Sequence, residues 1–183
     1  METINVLLLE DNPRDARLLE MVLAGVEEPH YNVFHCKQRN ELRSVLDDTK
    51  IDVVFISLRF QKTSSIEPVL SMIKIDPQIP IIALCSVLEE ALGRSAVQAG
   101  AQDFLTKGEY DEEVLVRSIH YAISRQEVIN SLTAIEDRTH LIFESNLDGI
   151  VVIDKDQVIQ YVNPTGEALI GKIKEELVGT KIE

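Results

Sequence analysis

Between residues 4 and 107 the chain repeats one alternation. A short apolar run is followed by a longer amphipathic stretch, and the cycle then starts again. The apolar runs are INVLLL (4–9), YNVFHC (31–36), DVVFISL (52–58), IPIIALCS (79–86) and AQDFLTK (101–107). Their length and near-continuous apolarity suit strands buried on both faces. The stretches between them, 11–25, 39–48, 64–75 and 89–99, carry apolar residues at helical spacing, such as Ile66, Val69, Leu70 and Ile73. In 11–25, Asn12 can cap, Pro13 suits the first turn, Asp15 favours the positive helix end and Gly25 stops the helix. Strands spaced by helices predict an α/β domain, a doubly wound parallel sheet with helices on both faces.

Sites in such sheets lie beyond the carboxyl ends of the strands. The residues found there are Glu10 and Asp11 after the first run, Ser57 and Arg59 at the third, Cys85 and Ser86 at the fourth, and Lys107 at the fifth. Ser57 stands where a reactive group is expected, yet it has no histidine base at a telling spacing; His35, near the rim, is the nearest candidate. Asp52 begins the third strand at the opposite edge, about 15 Å from Lys107 at 3.3 Å per residue. The adjacent Glu10 and Asp11 repel each other and need an offset. Arg59 lies two residues past Ser57, on the same side of an extended chain, and its fork suits paired carboxylates. Arg59 and Lys107 together are expected to neutralise the pair, the alternative being Arg59 in solvent beside a weakly hydrated acidic pair.

From residue 111 the texture changes. Residues 111–146 contain neither proline nor glycine. A helix over 111–143 would be about 50 Å long. Leu115, Ile119 and Ala122 form one apolar series, and Val128, Leu132, Ile135 and Ile142 a second. The two do not share a frame, which predicts a phase shift near residues 125–127. The second half reads as a dimeric coiled-coil stalk, the alternative being a helix folded back on its own chain. Beyond it, GIVVID and VIQYVN predict an antiparallel hairpin, followed by short helices at 165–171 and 174–178. This unit is too small to close a core alone, so a longer protein is expected.

The first 125 residues resemble a response-regulator receiver domain of two-component signalling. The carriers are VLLLEDNPRDARLLEMVLAG, with the acidic pair Glu10 and Asp11, and AGAQDFLTKG, with Lys107 and the switch aromatic Phe104. The resemblance implies a flavodoxin-like (βα)5 sheet of order 2-1-3-4-5. It also implies an aspartate nucleophile that takes a phosphoryl group with Mg²⁺ held by carboxylates. Here that aspartate is Ser57, and Cys85 takes the place of a phosphate-binding hydroxyl. A hydroxyl cannot form an acyl phosphate, so a pseudo-receiver is expected, with Mg²⁺ binding at Glu10 and Asp11 weak at best. An acceptor elsewhere, with Asp52 the nearest, and a Ser57-dependent hydrolase are the alternatives.

Residues 147–183 resemble the start of a PAS (sensory-box) domain, with the Asn163–Pro164 turn after its second strand. No ligand can be assigned to it. The expected organisation is a receiver-like domain at 1–125, a helical linker at 111–145 overlapping its last helix, and a PAS start at 146–183. Receiver, stalk and PAS in series imply a non-enzymatic signalling module with protein partners, homodimeric through the linker, with an output domain beyond.

Composition narrows the partners. The chain has 31 acidic and 18 basic residues, a net charge of −13, which disfavours nucleic acid and anionic lipid. No apolar run approaches the roughly 20 residues of a membrane span, and the N-terminus lacks signal-peptide character. Two cysteines in apolar runs, Cys36 and Cys85, suit reduced core thiols in a cytoplasmic protein.

Overall fold

The computed structural model describes residues 3–61 and 63–182. The chain divides into two compact units, Met1–Ile129 and Asn130–Glu183.

In the first unit five parallel strands, β1 (Thr3–Leu9), β2 (His30–Cys36), β3 (Val53–Ser57), β6 (Ile81–Cys85) and β7 (Asp103–Thr106), form one sheet. Its order is β2-β1-β3-β6-β7. Counted along the sheet-forming strands this is 2-1-3-4-5, the flavodoxin-like arrangement. Helices α1 (Pro13–Ala24), α2 (Arg39–Asp48), α3 (Glu67–Ile75), α4 (Glu90–Gln98) and α5 (Glu112–Glu144) flank it. Side chains alternate between sheet faces. Val6, Leu8, Val53, Phe55 and Ile82 meet Leu19 and Leu23 of α1 and Leu115 and Ile119 of α5. Leu7, Leu9, Val54, Ile56 and Ile81 meet Leu42, Val69, Met72 and Ala96 of α2, α3 and α4. Burial on both faces explains why the strands are apolar throughout.

Asn12 caps α1, its side-chain oxygen accepting from Arg14 N at 3.0 Å. The helix expected from residue 64 starts later, at Glu67. Residues 59–64 instead hold a small antiparallel hairpin, β4 (Arg59–Phe60) with β5 (Thr63–Ser64). Gln61 at its turn has φ of 51°, a left-handed conformation uncommon outside glycine and asparagine. Pro68, which lacks an N–H, fits the first turn of α3 and favours the later start.

Helix α5 is a single α-helix from Glu112 to Glu144, unbroken through residues 125–127. The two apolar series occupy different faces. Leu115, Ile119 and Ala122 are buried in the receiver core, whereas Val128, Leu132, Ile135 and Ile142 are exposed. Gln126 closes the buried series with hydrogen bonds. Its amide donates to the Pro77 carbonyl at 3.0 Å, and its oxygen accepts from Gln102.

In the second unit β8 (Val151–Ile153) and β9 (Ile159–Val162) form the expected hairpin. Helices α6 (Pro164–Ile170) and α7 (Lys174–Leu177) follow. Ile159, Val162 and Leu177 make its small core. Asn163, fully buried, is its polar centre. Its oxygen accepts from Ile150 N at 2.7 Å and Gly166 N at 2.8 Å. Its amide donates to the carbonyls of Asp148 at 2.9 Å and Phe143 at 3.1 Å.

Candidate functional site: a lysine-centred cleft at the strand ends

Parallel strands deliver their carboxyl ends to one edge, and there Glu10, Ser57 and Lys107 converge from β1, β3 and β7. Glu10 follows β1, held by its N–H to the Cys36 carbonyl at 3.2 Å. Its side chain turns inward and is fully buried. One carboxylate oxygen accepts from Asn12 N at 2.8 Å, and the other takes the ammonium of Lys107. Lys107 is positioned by its own N–H to the Cys85 carbonyl at 2.8 Å. Its ammonium also donates to Asp15 at 3.0 Å and to Ser57 Oγ at 2.9 Å. An ammonium has three donors, and all three are engaged. Ser57 is fully buried and donates its own proton to the Arg59 carbonyl at 2.8 Å.

The adjacent acids are thereby separated. Glu10 faces the lysine, while Asp11 is exposed and accepts from Gln61 N of the hairpin turn at 2.9 Å. Arg59 lines the same cleft, of about 390 Å³, with Glu10, Asp11, Ser86 and Lys107. The expected guanidinium clamp on the acidic pair is not formed. Among the described residues Arg59 makes no ion pair with Glu10 or Asp11. The inward turn of Glu10 leaves Lys107 as the cation that reaches it.

Three further cleft residues escaped the sequence reading of the site: Asn12, Asp15 and Glu89. Asp15, read there only as a helix-end acid, is a partner of Lys107. Glu89 accepts from Ser86 Oγ at 2.7 Å and from Ser64 of the hairpin. Those two hydroxyls, then the Ser86 N–H and the Arg59 charge, hold its carboxyl below the usual range. Ser86 and Glu89 form a capping box, a pattern visible in the sequence.

Cys85 and Phe104 do not line the cleft. Cys85 is fully buried at the end of β6, and burial raises its thiol pKa, with the nearby Glu89 and Glu90 charges adding to it. Phe104 packs against Gly93 of α4, where an added Cβ would fall 2.5 Å from the ring. Asp52 stays at the far edge, accepting from Asn5 N at 2.9 Å. His35 meets the Glu10 carbonyl at 2.8 Å rather than Ser57. Among the described residues no group of three or more His, Cys, Asp or Glu side chains is placed to hold a metal ion. No helix among them is long and apolar enough to cross a membrane.

Comparisons with known proteins agree with this architecture. Residues 6–120 match the response regulator receiver domain and residues 137–183 match the PAS domain. No curated protein matches the chain. Among solved structures, a response regulator receiver domain protein from Clostridium thermocellum has 22% identity and a TM-score of 0.59, covering 69% of this chain and 98% of its own. NtrX from Brucella abortus has 16% identity and a TM-score of 0.64, covering 84% of this chain but 32% of its own. A receiver domain of a two-component response regulator from Bacteroides fragilis has 16% identity and a TM-score of 0.59, covering 67% of this chain and 98% of its own. At these identities the likeness is one of fold. The match over 6–120, more than half of the sequence, shows that the chain belongs to the response regulator receiver domain family, joined by a long helix to a PAS region in the manner of two-component signal transduction.

Proposed function

We propose that the receiver unit signals without accepting a phosphoryl group. It acts through protein contacts, dimerises through α5, and passes its state along that helix to the PAS region. The observation that carries this reading is the closed network at Lys107. The ammonium lies between Glu10, Asp15 and Ser57 and has no donor left for an incoming phosphoryl group. The donor set does not fit the metal. The acid expected at the nucleophile position is a neutral hydroxyl, and the remaining buried carboxylate already has a cation. The same contacts disfavour hydrolysis, since the Ser57 proton is committed to a carbonyl and its lysine neighbour bridges two carboxylates.

The test is an amide-NMR titration of the whole chain with Mg²⁺ and then beryllofluoride, alongside Ser57→Asp. The wild type is expected to stay unchanged while the variant shifts around Glu10, Asp11 and Lys107. Saturable shifts at those residues in the wild type would sink the proposal.

A further inference from the structure

The exposed series on α5 is longer than its second half. Tyr121, Val128, Leu132, Ile135 and Ile142 are each between 58 and 70% exposed. With Arg125 and Thr139, also exposed, they follow a strict spacing of four and three residues. Tyr121, Val128, Ile135 and Ile142 take d positions, and Arg125, Leu132 and Thr139 take a positions. Each of Tyr121 and Val128 lies two residues after a buried one, Ile119 and Gln126. Two residues are about 200° of helix turn, so the seam faces away from the receiver's own core.

We infer that this seam, Tyr121 to Ile142, is the surface on which a second copy of the chain docks, parallel and in register. The inference deepens the dimerisation proposed above and rests on it. A repeat of 3.5 residues is complemented by a helix carrying the same repeat, which a second copy supplies. Parallel pairing sets Glu136 against Ser131 of the partner subunit and Arg138 against Phe143 of the partner subunit. An antiparallel pair on the same layers would bring Glu136 towards Glu136 and Arg138 towards Arg138, which repel. Arg125 can lie along the seam with its charge in water. At roughly 100 Å² for each of the seven seam side chains, two helices remove on the order of 1,400 Å² from solvent, enough for a stable interface.

The experiment uses the full chain. Light scattering after size exclusion reads its mass with and without Leu132→Lys and Ile135→Lys. Both positions are exposed, and far-UV circular dichroism checks that the fold is kept. Oxidative cross-linking reads the orientation in Ile135→Cys, with Ala134→Cys off the seam as control. The native Cys36 and Cys85 are buried. The expected result is a dimer weakened about 100-fold or more by either lysine, with Ile135→Cys cross-linked to itself and Ala134→Cys not. A dimer indifferent to both lysines overturns the seam but leaves dimerisation standing. Cross-linking only in a mixture of Ile135→Cys with Thr139→Cys overturns the parallel arrangement. A monomeric wild type overturns the seam and the dimer together, while phosphoryl transfer is judged separately by the titration of Ser57→Asp.

Discussion

In the receiver unit the buried polar centre is a set of charges, Glu10 and Asp15 around Lys107, whereas in the second unit it is one neutral amide, Asn163. The charged centre joins residues up to 97 positions apart and ties three strand ends together. The amide reaches backbone groups no more than 20 positions away and shapes one local turn. Buried charges demand partners, since an unpaired one is very costly to hold away from water. An amide demands hydrogen bonds only, and five surround it here. Damage to the first centre should therefore spread through its unit, and damage to the second should stay local.

The largest expected effect tests that difference directly. Lys107→Met leaves Glu10 buried without its cation and should lower the stability of the receiver unit by about 3–5 kcal/mol. Urea unfolding of the chain checks it. Glu10→Gln in the same background should recover most of the loss, because the uncompensated charge is then gone. A loss in Lys107→Met below about 1 kcal/mol would mean that water reaches Glu10 and that the centre is not a closed network. Asn163→Ala comes next, at about 2–3 kcal/mol, since it leaves the N–H groups of Ile150 and Gly166 without acceptors. Hydrogen exchange should accelerate at those two amides and remain unchanged in β1 and β3. Faster exchange in the receiver strands would break the contrast between a local and a spreading centre.

The sheet was legible because its cause is local: apolar runs of strand length alternate with capped amphipathic helices. The convergence of Glu10, Ser57 and Lys107 followed from the rule that parallel strands end at one edge. What was missed depends on side-chain direction. Asp15 could be placed in the first turn of α1, but nothing in the pattern tells that it leans back to Lys107 rather than serving the helix end. Arg59 could be placed beside Ser57, but the hairpin that follows it was hidden. That hairpin has only two residues per strand and a turn through Gln61 in a left-handed conformation, where glycine would have been the visible signal. The two series on α5 share no frame because they lie on two faces, of which one packs on the sheet and the other is exposed.

A smaller effect is expected where the comparison is steric rather than polar. Gly93→Ala places a methyl against the Phe104 ring and should cost about 1–2 kcal/mol as the ring is displaced from its slot. Near-UV circular dichroism and the urea midpoint read the two consequences. An unchanged midpoint would mean that the ring turns outward freely.

The smallest effect sharpens the contrast between the buried charges and those at the rim. Glu89 fastens the β4–β5 hairpin to the start of α4 through Ser64, and its folded pKa lies below the ordinary value. Its contribution is therefore present above the usual carboxylate range and is lost as pH falls through the folded value, because protonation then favours the unfolded chain. Ser64→Ala should cost about 0.5–1 kcal/mol at pH 6, in keeping with a partly exposed carboxylate. The difference from wild type should shrink as pH falls below the usual carboxylate range. Urea midpoints of both proteins across that range decide it. A difference that persists at low pH would assign the stabilisation to the neutral hydroxyl contact instead of to the charge on Glu89, and the rim would then be held together as Asn163 holds the second unit.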